Sequence, residues 1–306
     1  MTGKTETEKR MDVNQFIEYL KRERKSSDNT CDAYRRDVQD FQRFMESRGT
    51  EDLTGASNAD VAAYLLELKN RGKSKATVNR KLSSIRTYYK FLQKKGEVSR
   101  NPAEDIKSPR IERKQLDYLT VEEVERLLSA PDDSIKGIRD RAMLEVLYAT
   151  GIRVTEIIEL KLKDANLRMG FITCSGAHGR ARIVPMGTMA RKSLDNYILH
   201  SRNILMKDRT DNDPESPLFV NYTGEAFSRQ GFWKVLKQYG EKSGLVGRIT
   251  PHILRTSFAV HMVQNGADLK SLQELLGHED IMATQVYLSV TKNRIKDVYD
   301  KTHPRA

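Results

Sequence analysis

The 306-residue chain lacks several features at once. It has only two cysteines, Cys31 and Cys174, far apart in the sequence. They provide neither a metal-ligand spacing nor a disulfide framework, and they fit a reducing cytoplasm. No run of about 18 apolar residues occurs, so neither a membrane span nor a membrane partner is expected. The opening residues, MTGKTETEKRMDV, are polar and contain no apolar core of the kind a signal peptide needs. No Asp/Glu or His/Cys cluster has metal-ligand spacing, and no phosphate loop of the GxxxxGK[ST] kind is present, so neither metal nor cofactor is expected. There is also no internal repeat or low-complexity segment.

What the chain does have is positive charge. The formal net charge is +11, with 31% charged and 38% hydrophobic residues. That balance describes a globular chain long enough for two domains and favours a polyanionic partner, foremost nucleic acid. The surplus is uneven. From Lys69 to Arg100 there are eleven Lys or Arg and one acid, Glu97. Lys75, Arg80, Lys81, Arg86, Lys90 and Lys94 are expected to form a cationic stripe off the apolar seam of one helix, suited to the DNA backbone.

Apolar periodicity predicts four helices in the first third. Residues 1–10 read as a disordered lead-in. Val13, Phe16, Ile17 and Leu20 mark the first helix, and Tyr34, Val38, Phe41 and Phe44 the second. Val61, Tyr64, Leu65 and Leu68 mark the third; Val78, Leu82, Ile85, Tyr89 and Leu92 mark the fourth. Short connections make these a helical domain over 11–96. Residues 97–117 hold two prolines, many charges and little periodicity, and read as an extended linker.

The second domain, 118–306, opens on a capping box, Thr120 to Glu123. Helices are expected before Pro131, up to Gly151 and from Ile152 onward. The period then changes. Residues 170–174 and 182–184 read as the strands of a hairpin around SGAHGRA. Helix resumes from Pro185 to about Ser201, Leu218–Val220 reads as a short strand, and Ser228–Tyr239 reads as helix again.

Thr250-Pro251 then starts another helix, with threonine as cap and proline preorganised for the first turn. His252 and Arg255 fall three apart on one face near its N-terminus, a natural place for an anion. Arg153 stands directly after the Gly151 break, within ion-pairing distance in sequence of Glu156. His278 follows a glycine, and Tyr287 lies nine residues beyond it.

In that order and spacing these residues resemble the tyrosine recombinase (integrase) family, in its Xer-like branch. The matching segments are Ala149-Thr-Gly-Ile-Arg153-Val-Thr-Glu156, Thr250-Pro-His252-Ile-Leu-Arg255, Leu275-Leu-Gly-His278 and Tyr287. The resemblance implies a mainly α fold, with a four-helix core-binding (SAM-like) domain and a mainly helical catalytic domain carrying a small β-hairpin sheet. It implies a site-specific recombinase that cuts double-stranded DNA through a 3′-phosphotyrosyl link without metal or ATP. Tyr287 would be the nucleophile, Arg153 and Arg255 phosphate clamps, His252 a proton-transfer or phosphate-orienting group, His278 a hydrogen-bonding partner of a phosphate oxygen, and Glu156 a buttress for Arg153. A homo-tetramer, or a hetero-tetramer with a second recombinase, on two DNA sites is also implied. The tail from about residue 288, with Val290, Ile295 and Val298, would dock a neighbouring subunit.

One position departs from the family pattern. The family commonly carries a lysine in this hairpin as general acid; alignment on Arg182-Ile-Val-Pro185 puts Ala177 there. No lysine occurs between Lys163 and Lys192. His178 or Arg180 would then substitute, the first as a proton donor near neutral pH and the second as an electrostatic donor. The alternative is a non-catalytic or weakly active DNA-binding relative.

Overall fold

The computed structural model describes residues 6–50, 52–110, 116–175, 181–207, 213–278 and 280–290. The chain divides into two compact units, residues 1–114 and 115–306.

The first unit is built on α1 (Glu6–Arg22), α2 (Asp28–Ser47), α3 (Asn58–Asn70) and α4 (Lys75–Lys94). The first helix starts at Glu6, earlier than the expected Met11. Serine caps begin three of the four: Ser27, Ser57 and Ser74 each accept from an amide of the first turn, and Ser57 forms a capping box with Asp60. Phe16, Phe41, Tyr64, Leu82, Tyr89 and Leu92 are among the residues that close the core. The Tyr89 hydroxyl donates to the Leu53 carbonyl at 2.7 Å, satisfying its one buried polar atom.

The cationic stripe needs correction. Lys81 is only 6% exposed; its ammonium donates to Asp37 at 3.1 Å and to Asp40 at 2.6 Å. Arg80 also pairs with Asp37, and Ser84 donates to the same carboxylate at 2.8 Å. Lys94 pairs with Glu23 at 2.6 Å. Arg86 donates to the carbonyls of Ala103, at 2.9 Å, and Ile106. Lys75 and Lys90 are exposed. The physical reason is that α4 packs against α1, α2 and α3, so a second face of it is buried besides the apolar seam.

The expected linker is also not free over its first half. Asn101 and Ala103 are buried, Asn101 donates to the Arg86 carbonyl at 3.1 Å, and Asn79 donates to that of Pro109 at 2.9 Å. Backbone carbonyls of 102–109 thus serve as acceptors for α3 and α4 side chains.

The second unit contains α5 (Val121–Ser129), α6 (Ile135–Thr150), α7 (Val154–Glu159), α8 (Thr188–Tyr197), α9 (Asn203–Leu205), α10 (Arg229–Lys242), α11 (Pro251–Gln264), α12 (Leu269–Leu276) and α13 (Met282–Gln285). Strands β1 (Ala165–Asn166), β2 (Phe171–Ser175) and β3 (Ala181–Pro185) form an antiparallel sheet in that order, one strand more than the expected hairpin. Ile172 faces Val184 across it, and Cys174 faces Arg182. Ile172, Cys174 and Val184 turn inward, as the period of two demands. A π-turn, Ile198–Arg202, carries the helix on from α8 into α9. The expected strand at Leu218–Val220 is reduced to isolated bridges, Lys161 with Pro217 and Val220 with Ala226. No helix among the described residues is long and apolar enough to cross a membrane.

Candidate active site

Two glycines in left-handed backbone conformation set the frame. Gly151 ends α6 at φ 60°, and a Cβ there would meet the Phe258 ring of α11 at 2.2 Å. Only glycine permits both the turn and that close approach. The turn leaves Arg153 as the N-cap residue of α7. Gly277 ends α12 at φ 62°, and His278 follows it.

Around this frame stand three arginines and one carboxylate. Glu156 is buried. It accepts the Arg153 amide at 2.7 Å, the Arg153 guanidinium at 3.2 Å, and both terminal nitrogens of Arg182 at 2.7 and 2.9 Å. Burial opposes its charge, but the two arginines outweigh that and hold its pKa below the ordinary glutamate value. Arg255, only 7% exposed, donates to the Gly151 carbonyl at 2.7 Å and to that of Leu276 at 2.6 Å. Burial, together with the neighbouring Arg153 charge, lowers its pKa to about 10, so it remains a cation at neutral pH. The Arg153 side chain stays 42% exposed and is the open member of the set.

His278 pairs through Nδ1 with the Thr284 hydroxyl at 2.9 Å. Burial and the three arginine charges lower its pKa to about 4, so its imidazole is neutral at neutral pH. Tyr287 lies in the 3₁₀ turn Val286–Val290, 5% exposed, among Phe258, Val260, Leu272 and Leu276. Burial raises the pKa of its phenol, while the Arg255 charge and a hydrogen bond with Thr256 act against that rise.

The fold therefore brings together Arg153, Arg255, His278 and Tyr287 from three separated stretches. His252 is itself exposed in the first turn of α11, three residues before Arg255, and its ring has no hydrogen bond among the described residues. Ala177, His178 and Arg180 lie outside the described residues, as do Ile295 and Val298 of the tail. Sequence reasoning overlooked Arg182, Thr256 and Thr284. For Arg182 a signal was available: Arg182-Ile-Val-Pro185 was the anchor of the hairpin alignment. Among the described residues no group of three His, Cys, Asp or Glu could hold a metal ion. Three guanidiniums against one carboxylate leave a local cationic excess that suits an anion with several oxygens, such as a phosphodiester.

Residues 117–294 match the phage integrase family, and residues 13–96 match its N-terminal SAM-like domain. The chain belongs to the phage integrase family. It is 44% identical to the tyrosine recombinase XerD of Oceanobacillus iheyensis, over 96% of this chain and 98% of that one. It is 42% identical to the tyrosine recombinase XerD of Listeria monocytogenes, over 96% and 99%. In structure it is similar to a XerH site-specific recombinase bound to its palindromic difH substrate after cleavage. The TM-score is 0.73 at 22% identity, over 94% of this chain and 83% of that one, which speaks for a shared fold. Other integrases thus share the mainly helical architecture with a small antiparallel sheet.

Proposed function

We infer that this integrase-family chain is a site-specific DNA recombinase that breaks and rejoins strands through a covalent tyrosine link. The observation that carries the reading is the grouping of Arg153, Arg255, His278 and Tyr287 in one cationic site. The substrate is duplex DNA. In the first step the Tyr287 oxygen bonds to phosphorus and the bond from phosphorus to the 5′-oxygen breaks. The phenol loses its proton, and the departing 5′-oxygen gains one. Because the phosphoester is conserved, a second 5′-hydroxyl reverses the chemistry on another strand, so the cycle needs no ATP.

Arg153 and Arg255 hold the non-bridging oxygens. Their contribution is greatest when charge grows on the pentacoordinate phosphorus, since their orientation is fixed beforehand. Neutral His278 donates to a phosphate oxygen from Nε2, with Nδ1 accepting from Thr284 and so fixing the tautomer. His252, itself exposed, takes part in proton transfer at the tyrosine. Ala177 leaves the family's general-acid position without a proton, and His178 or Arg180 supplies the substitute. The comparisons lend no support to the alternative of a non-catalytic relative. We place the enzyme in the cytoplasm, acting on two DNA sites as a tetramer of this chain alone or with a second recombinase.

A nicked suicide duplex carrying the native site, mapped from cleaved genomic DNA, tests the chemistry. Wild type is expected to give an SDS-stable protein–DNA adduct, and Tyr287→Phe none. No adduct from wild type, or an equal adduct from the variant, overturns the reading.

A further inference from the structure

Three consecutive carbonyls at the C-terminal end of α12 each receive a different arginine. Arg182 donates from Nε to Leu275 at 2.9 Å, Arg255 from Nη2 to Leu276 at 2.6 Å, and Arg153 from Nη2 to Gly277 at 2.9 Å. These are carbonyls that an α-helix leaves without partners, and they carry the negative end of its dipole. The three arginines come from β3, α11 and the start of α7, so the end of α12 is where the elements of the site converge. His278 follows directly.

Arg182 differs from the other two. Its side chain is 14% exposed, and all three guanidinium nitrogens are engaged: Nε by Leu275, Nη1 and Nη2 by the two oxygens of Glu156. Its fork fits the carboxylate in the bidentate arrangement. It also lies against Gly277, where a Cβ would meet the guanidinium carbon at 3.0 Å. Three of its five N–H donors are thus committed within the fold, and its fork is turned to Glu156. There it neutralises the carboxylate that also holds Arg153.

We propose that Arg182 is a positioning residue: it occupies Glu156 and pins β3 to the end of α12, so that Arg153 keeps its exposed face for phosphate instead of collapsing onto Glu156. The proposal rests on the recombinase reading above. Without Arg182, the buried Glu156 carboxylate has one guanidinium left, that of Arg153. A buried charge takes whatever partner remains, because an unpaired one is costly in the protein interior. Arg153 would then be drawn from substrate to carboxylate. Removing the charge of Glu156 in that background should release it again.

The experiment measures single-turnover adduct formation on the nicked duplex, with band-shift affinity and thermal unfolding measured on the same preparations. Arg182→Met is expected to bind DNA like wild type but to form adduct on the order of 10²-fold more slowly, the scale of losing one transition-state donor. The double variant Arg182→Met with Glu156→Gln should recover about tenfold of that loss, as coupled residues do in a double-mutant cycle. A purely structural role predicts the opposite, a further loss in the double variant. Arg182→Lys keeps the charge without the fork and serves if the methionine variant does not fold; its adduct rate should fall between wild type and Arg182→Met or, if only the lysine variant folds, below wild type. Wild-type cleavage rates in Arg182→Lys or Arg182→Met, or no recovery in the double variant, overturn the proposal. Absence of adduct from wild type itself instead strikes the recombinase reading, so the two failures are told apart.

Discussion

The basic run of the first unit and the active site of the second use their cations in opposite ways. In the first, the densest run of positive charge supplies side chains that are largely engaged within the unit. Lys81 and Arg80 share Asp37, Lys94 holds Glu23, and Arg86 fastens the segment after Gly96. At the active site of the second, three arginines are also tied down, but with four of their hydrogen bonds to backbone carbonyls and Glu156 the one carboxylate among their partners. A carbonyl orients a guanidinium without cancelling its charge, whereas a carboxylate does both. The second arrangement therefore leaves an oriented cationic excess, and the first leaves a scaffold. Counting Lys and Arg along the chain does not separate these two cases; the partner of each side chain does.

The largest expected effect sharpens the scaffold half of this comparison. Lys81→Ala leaves the buried Asp37 carboxylate with only Arg80 and Ser84 among the described residues, a loss of at most about 3–5 kcal/mol, the cost of a fully broken buried pair. Urea unfolding of the first unit reads it directly. A near-neutral change would mean that the Lys81 charge is solvated after all and free to meet DNA.

Next in size is the catalytic half. Arg255→Ala should slow adduct formation about 10²–10³-fold while leaving band-shift affinity close to wild type, because a preorganised donor acts chiefly on the transition state. A loss of affinity equal to the loss of rate would instead make Arg255 a ground-state contact. Arg86→Ala comes third. It removes two part-buried hydrogen bonds, to the Ala103 and Ile106 carbonyls, whose loss water partly makes good. Amide exchange over 101–106 should quicken, with catalysis on DNA unaffected by any change at the active site.

The different fates of these residues mark what was legible in the sequence. Arg153, Arg255, His278 and Tyr287 could be found because a helix start or a glycine break fixes each locally, and their spacing along the chain is itself the signal. The four helices of the first unit were legible from their apolar seams. Lys81 was misplaced because a seam identifies one buried face, while α4 is buried on a second face by its neighbours. Polarity made 97–117 look like a free linker, since a segment held through its carbonyls needs no particular side chain of its own. Arg182 escaped because its partner Glu156 is 26 residues away and on α7, brought close to β3 only in the folded chain.

The acid limb of the stability curve gives a smaller effect. His278 has a folded pKa of about 4 against an ordinary 6.5, so the unfolded chain binds its proton more readily. Its contribution is therefore flat above 6.5 and turns against the fold as the pH falls toward 4. Imidazole NMR should show a neutral ring at pH 5.5, and His278→Gln should flatten this part of the curve. A ring that titrates near 6.5 would mean that the arginine charges around it are better screened than their burial implies.

The smallest effect discriminates between two residues on one helix. Lys90 is exposed and has no ion pair among the described residues, whereas Arg86 on the same helix is engaged by carbonyls. If exposed, uncommitted charge is what meets the phosphate backbone, Lys90→Ala should reduce the slope of log affinity against log salt by about 1 and weaken binding alike for all sequences. Arg86→Ala should leave that slope unchanged, because it releases no counterion from DNA. An equal change in both slopes would mean that DNA draws Arg86 away from Ala103 and Ile106, so that the scaffold of the first unit opens on binding and its engaged cations become contacts after all.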